Sequence, residues 1–231
     1  MSGRSEIYGS LILVPTPVGN MKDMTFRAVE VLKGVDRILA EDTRVSGKLL
    51  KHYHIGSPLE SYHQHNEHKL VGGFVERLLQ GETFALITDA GTPAISDPGF
   101  LLVREAIKNG VHIECLPGPT SIIPALAASG LPAARFYMEG FLPRKKGRQA
   151  RLEDIAQRPE TILLMESPYR LLKTLRQLAE HCGSSRKACV CREISKLHEE
   201  YARGSLQEIV EDFQQRPAIK GEIVIVMEGK A

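Results

Sequence analysis

Residues 83–99 constrain the fold of this chain more than any other stretch. Thr83-Phe84-Ala85-Leu86-Ile87-Thr88 is a short apolar run behind Gly81, the pattern of a buried strand. Asp89-Ala90-Gly91-Thr92-Pro93-Ala94-Ile95-Ser96-Asp97-Pro98-Gly99 follows, with two glycines and two prolines. A proline inside a helix costs about 3 kcal/mol, so this segment is a loop. Leu102, Val103, Ala106 and Ile107 then recur at helical spacing until Gly110. Asp97 fits the N-cap of that helix and Pro98 its first position. Strand, stiff loop and helix in succession are the unit of a parallel α/β sheet, whose strand carboxyl ends face the ligand crevice. Glycine lets backbone approach a ligand and proline pre-sets loop shape, so the loop is a candidate binding element. An ordinary tight connection is the plainer alternative.

The same grammar fills the first half of the chain. A strand over 11–14 runs into Pro15-Thr16-Pro17-Val18-Gly19-Asn20, where a dinucleotide-binding fold would carry G-x-G-x-x-G and this sequence does not. Thr25 is expected to cap a helix with Phe26, Val29 and Leu32 inward and Gly34 at its end. A strand over 35–40 meets Glu41-Asp42-Thr43-Arg44 at the next helix start. Two acids there suit the helix dipole, and Arg44 pairing with them in a cleft is the sharper alternative. A strand over 111–116 leads to Pro117-Gly118-Pro119-Thr120-Ser121 and an apolar helix over 122–128. Thr120 and Ser121 can cap that helix or hold a polar ligand group there.

Past this point the grammar changes. Strands over 136–142, 161–165, 187–194, 199–203 and 222–227 alternate irregularly with helices. Ser167 and Pro168 fit the start of a helix with Leu171, Leu172, Leu175 and Leu178 inward, and Ser205 with Glu208 forms a capping box. The expectation is an α/β protein of two domains. Residues 1–117 form a mostly parallel sheet with helices on both faces, and residues 118–231 an α+β domain.

Composition narrows the function classes. A net charge of +2 announces no nucleic-acid binder by itself. Arg144, Lys145, Lys146, Arg148 and Arg151 form a dense basic run with no acid among them, either a solvated face or a set of phosphate contacts. Cys115, Cys182, Cys189 and Cys191 show no CxxC pair, and Cys189 and Cys191 would share one face of a core strand. His52, His54, His63, His65 and His68 crowd one region, but no nearby cysteine completes a ligand set, so no metal is expected. No apolar run reaches the roughly 18 residues of a membrane span and no signal peptide precedes the first strand, which suggests a cytoplasmic protein with residues 1–7 loose.

Pro15-Thr16-Pro17-Val18-Gly19-Asn20, Glu41-Asp42-Thr43-Arg44, Asp89-Ala90-Gly91-Thr92-Pro93 with Asp97-Pro98-Gly99, and Leu116-Pro117-Gly118-Pro119-Thr120 together resemble the tetrapyrrole methylase superfamily. Phe141-Leu142-Pro143, Glu166-Ser167-Pro168, Arg192-Glu193-Ile194-Ser195-Lys196 and Lys220-Gly221-Glu222 continue the likeness, which covers nearly the whole chain. Within the superfamily the motifs are similar to those of the branch acting on small-subunit ribosomal RNA. The resemblance implies a two-domain fold with a cofactor cleft between the domains, S-adenosylmethionine as methyl donor, a homodimer, and a cytidine 2′-hydroxyl of the small ribosomal subunit as acceptor. Many members carry a helical tail after the last strand, whereas this sequence stops at Gly229-Lys230-Ala231. A methyltransferase acting on a tetrapyrrole or other small acceptor, and a non-catalytic RNA-binding protein, are the alternatives.

On this reading the cofactor is touched by Pro15, by Asp89, Ala90, Gly91, Thr92, Pro93 and Ile95, by Thr120 and Ser121, and, from the resemblance only, by Met165 and Glu166. The basic run contacts RNA phosphates. A ribose hydroxyl is a poor nucleophile until its proton is taken. The candidate catalytic residues are Glu193, Lys196 and Asp42, with Arg44 as a charge partner. Glu193 serves as base or orienter, with Lys196 and Arg44 holding RNA. Lys196 would be a base only if burial and Arg192 depressed its pKa. A plain ion pair between Glu193 and Lys196 at a strand end is the alternative.

Overall fold

The protein, seen as a computed structural model, is described over residues 9–230; the loose segment expected over 1–7 lies outside them. It divides into two compact units, with the division between Thr120 and Ser121.

In the first unit β1 (Ser10–Leu13), β2 (Arg37–Ala40), β3 (Leu59–Ser61), β4 (Phe84–Ile87) and β5 (His112–Cys115) pair in the order β3-β2-β4-β1-β5. Every pairing is parallel. Four helices connect these strands: α1 (Phe26–Gly34), α2 (Thr43–His52), α3 (Glu67–Leu79) and α4 (Phe100–Lys108). Alternate strand residues point to opposite faces. Leu11, Leu13, Leu39, Phe84 and Leu86 pack with Phe74 and Leu78 of α3 and Leu102 and Ala106 of α4. Ile38, Ala40, Ala85 and Ile87 pack with Ala28 and Leu32 of α1 and Leu50 of α2. Helices on both faces leave β4 buried along its whole length, which is why residues 84–87 read as a continuous apolar run.

Three local expectations are corrected. Thr25 does cap α1, accepting from the Ala28 N–H, but Phe26 is 91% exposed. The buried stripe is Ala28 and Leu32, and Phe26 sits roughly 200° around the helix from Ala28. β3 was not expected; three residues on a sheet edge leave too short a pattern to see. α4 begins at Phe100 with Gly99 as its cap, so Asp97 and Pro98 belong to the loop. Gly99 has φ +135°, a turn that an Asp or Pro cannot make at that point.

In the second unit β6 (Phe136–Phe141), β7 (Thr161–Glu166), β8 (Lys187–Arg192), β9 (Glu200–Ser205) and β10 (Ile223–Met227) pair in the order β6-β7-β10-β8-β9. β6 and β7 run parallel and the other pairs antiparallel. One face carries α6 (Arg148–Gln157), α7 (Leu171–Cys182) and α8 (Leu206–Gln215); the other carries α5 (Ile122–Ser129). Cys189 and Cys191 lie on the α5 face with their sulfurs 3.6 Å apart, both fully buried, as core residues. The Ser205–Glu208 capping box forms at α8. α7 starts at Leu171 with Arg170 as cap, not at Ser167 and Pro168. No described helix is long and apolar enough to cross a membrane.

Candidate active site

In the first unit every matched motif sits where the parallel strands end. The loop after β1 is tied to the loop after β4 by a two-way bridge. Thr16 N donates to Gly91 O at 2.9 Å and Gly91 N to Thr16 O at 2.8 Å. The Thr16 hydroxyl donates to Thr88 O at 2.8 Å. The loop after β5 closes against the same pair: a Cβ on Gly118 would come within 2.8 Å of Pro15 Cβ, and Thr92 Oγ1 donates to Pro119 O at 3.4 Å. Pro15, Gly91, Thr92, Pro93 and Thr120 are thus held on one edge, at the carboxyl ends of the neighbours β4, β1 and β5. Gly91 has φ +83°, while the nearest atom to a Cβ there would be Val18 Cγ1 at 3.8 Å. The glycine is required by backbone conformation rather than by crowding. Ala94 and Ser96 also take positive φ, at 65° and 66°, and they flank the half-exposed Ile95. Left-handed non-glycine residues gather where a loop is held in one shape for function.

The same edge is acidic. Asp42 caps α2, its carboxylate accepting from the Arg44 N–H at 2.8 Å and from the Arg44 guanidinium at 2.6 Å. The capping reading holds for Asp42, while Arg44 pairs with Asp42 alone and its side chain is exposed rather than held in a cleft with both acids. The Arg44 hydrogen bonds keep Asp42 well below the usual carboxylate range. Glu41, Asp89 and Asp97 shift the other way. Partial burial and then the charge of Asp89 raise Glu41; partial burial and the charge of Asp42 raise Asp89. Burial, then Glu41 and Asp89, push Asp97 up to about 6. Glu41 and Asp97 line one small recess with Ser96 and Gly99. Neither stood out in the sequence as a proton-active group, because each gains its neighbours from a different strand end.

In the second unit one end of the sheet collects the remaining motifs. The register places Ile223 opposite both Glu166 and Arg192, and Phe141 beside Met165. Glu193 has φ +54°, and its carboxylate accepts from Lys196 Nζ at 2.9 Å and from the Glu222 N–H at 2.9 Å. Gly221 fits against it, since a Cβ there would lie 2.4 Å from Glu193 Cγ. The Lys196 hydrogen bond holds the Glu193 carboxyl below its ordinary value. Burial alone pulls the Lys196 ammonium down, but its bonds to Glu193 and Glu222 outweigh that and the net shift is upward. The condition under which Lys196 would be a base is thus not met: Arg192 spends its guanidinium on Glu200 at 2.9 Å, and Lys196 faces two carboxylates.

Two further expectations change. Arg148 is buried, donating to Gln177, to Thr174 Oγ1 and to Pro143 O, so it is a structural arginine and not a phosphate contact. The Glu166 side chain is fully buried, accepting from Arg170 at 2.6 Å, Thr174 Oγ1 at 2.6 Å and the Ser167 N–H at 2.7 Å. Three of the roughly four acceptor positions of that carboxylate are therefore spent inside the second unit. Arg148 finds Gln177 and Thr174 on α7, far along the sequence, whereas Glu166 takes two of its three partners, Ser167 and Arg170, from its own stretch of chain. Arg144, Lys145 and Lys146 are exposed, and Arg151 leans on Glu139 at 3.4 Å. Ser121 caps α5 without a side-chain bond, and Met165 packs against the α5-facing core. Among the described residues no cluster of three or more His, Cys, Asp or Glu is placed to hold a metal ion.

A parallel α/β unit with its motif loops on one edge, followed by a mixed-sheet unit with its own motifs at one end, defines a two-unit α/β class. The family described as Tetrapyrrole (Corrin/Porphyrin) Methylases matches residues 10–210, and the chain belongs to that family. The fold is also that of cobalt precorrin-4 methyltransferase, at TM-score 0.69 and 20% identity over 99% of this chain and 98% of that one. Diphthine synthase superposes at TM-score 0.72 and 13% identity, covering 95% and 90%. Ribosomal RNA small subunit methyltransferase I of Halalkalibacterium halodurans is 46% identical over 96% of this chain and 76% of its own length. The protein of the same name from Thermotoga maritima is 42% identical over 96% and 99%, and that from Synechocystis 46% over 96% and 79%.

Proposed function

We propose that this chain is an S-adenosylmethionine-dependent methyltransferase that modifies the ribose 2′-hydroxyl of a cytidine in small-subunit ribosomal RNA. What carries the reading is that relatives named for methylating small-subunit ribosomal RNA match it at 42–46% identity across 96% of its length. S-adenosylmethionine supplies an electrophilic methyl group on a sulfonium; as the new O–CH3 bond forms the S–CH3 bond breaks and a neutral thioether, S-adenosylhomocysteine, leaves, so the leaving group needs no acid. The first unit's loops suit such a cation. Glu41, Asp89 and Asp97 crowd negative charge that a positive ligand relieves. Pro15, Asp89, Ala90, Gly91, Thr92, Pro93, Ile95 and Thr120 are the residues assigned to hold it.

The acceptor makes the other demand. Its hydroxyl proton goes to a placed general base, and Glu41, Asp89 and Asp97 are the matched-motif carboxylates that no described salt bridge ties up. Glu193 and Asp42 are each paired with a cation and held low by it. Glu193 is therefore a positioning residue that aims Lys196, and Lys196 and Arg44 hold RNA together with Arg144, Lys145 and Lys146. Single-turnover methylation with saturating cofactor and RNA tests the assignment. Glu193→Gln should stay within about threefold of wild type, whereas a loss near 10²-fold would make Glu193 the base. Lys196→Met should weaken RNA affinity while leaving cofactor affinity alone.

A further inference from the structure

The second unit carries a recess between the loops that follow β6 and β7. It measures about 720 Å³ and is lined by Phe141, Leu142, Pro143, Arg144, Ser167, Tyr169 and Arg170. Tyr169 is 95% exposed and Phe141 52% exposed. Two large rings left in water cost burial that folding would otherwise gain, and here they share one recess with two arginines. Beneath them the frame is cross-linked by hydrogen bonds. Arg170 joins the buried Glu166 at 2.6 Å and donates to Leu142 O at 3.2 Å. The buried Arg148 donates to Pro143 O at 3.1 Å and to Thr174, which in turn donates to Glu166. Two guanidiniums thus clamp successive carbonyls of the Leu142-Pro143 wall. The residues displaced above from ligand contact, Arg148 and Glu166, are what fixes this recess.

We propose that this recess takes one unpaired nucleotide of the RNA acceptor, its base stacked on Tyr169 and Phe141 and its phosphate on Arg144. The inference rests on RNA being the substrate and adds where the strand is gripped. Exposed aromatic faces beside cations are the chemistry of single-strand recognition, and every base offers a π-face. The basic run continues from Arg144 through Lys145 and Lys146, which suits a backbone leading away from the stacked base. An acidic peptide would match the charges but would leave the two rings unused. The lining carries no carboxylate, and the volume lies in the range of small-ligand pockets.

The test uses a short fluorescein-labelled oligoribocytidine and full-length protein, read by anisotropy. Tyr169→Ala and Phe141→Ala should each weaken binding roughly 5- to 100-fold, while Tyr169→Phe stays within about twofold. Arg144→Ala should lower the salt slope by about 0.7, and the aromatic variants should leave that slope alone. S-adenosylmethionine affinity and thermal unfolding should match wild type in the Tyr169 variants, whose side chain touches little that folding needs. Equal RNA affinity in wild type and both alanine variants overturns the recess as a nucleotide site while leaving the RNA substrate standing. Loss of cofactor affinity in Tyr169→Ala, or polyglutamate binding that depends on Tyr169 while RNA binding does not, overturns it too. Wild-type protein that binds no single-stranded RNA would sink both the recess and the substrate reading.

Discussion

At the scale of single residues the candidate site is governed by which charges find partners. Asp97 is the clearest case. Its folded-state value of about 6 stands above the ordinary 3.8, so the folded protein holds more protons than the unfolded chain between those values. Stability therefore falls as pH rises through that window. Asp97→Asn should melt higher than wild type at neutral pH and coincide with it at a pH below about 4. Identical melting curves at both would show that Asp97 is fully solvated. Gly91→Val should cripple cofactor binding in calorimetry, because a β-branched residue is a severe outlier at φ +83°. Residue types in the motifs were legible in the sequence; their charge states were not. Lys196, Glu193 and Glu166 acquire partners from Glu222, from the Gly221 turn and from Thr174, contacts that exist only once the second sheet has assembled.

At the scale of elements the loop from β4 to α4 concentrates positive φ angles, at Gly91, Ala94, Ser96 and Gly99. Gly99 takes φ +135°, and a Cβ there would stand 2.7 Å from Leu86 Cδ2 and 3.2 Å from Ala94 Cβ. Gly99→Ala should cost about 1–3 kcal/mol in denaturant unfolding and weaken cofactor binding alongside. The basic run divides differently. Alanine at Arg144, Lys145 and Lys146 together should lower the salt slope of single-strand RNA binding by about 2, and Arg148→Ala should instead destabilise the second unit. An unchanged slope in the triple variant would make the run a solvated face. The strands and most helices were legible because period 2, period 3.6 and Gly/Pro punctuation are local signals. Helix starts were less so. Asp97-Pro98 and Ser167-Pro168 have the composition of a cap, but α4 and α7 begin at Phe100 and Leu171, after a left-handed Gly99 and a clamped Arg170. β3 is not legible in the sequence because three edge residues carry no period.

At the scale of the whole molecule the two sheets explain the motif order. Motifs at the carboxyl ends of β1, β2, β4 and β5 follow one another in chain order through the first unit, whereas the mixed second sheet brings distant segments to one end by antiparallel pairing. The homodimer implied by the resemblance remains a proposal. Sedimentation equilibrium should give about twice the chain mass of 25.6 kDa, and a single-chain mass would remove it. The central claim is the acceptor. Protein incubated with methyl-labelled S-adenosylmethionine and small ribosomal subunits lacking the modification should place the label in the RNA, on the 2′-oxygen of one cytidine, resistant to alkaline cleavage at that position. Label on a base, on protein or only on a tetrapyrrole supplied in parallel would contradict the account.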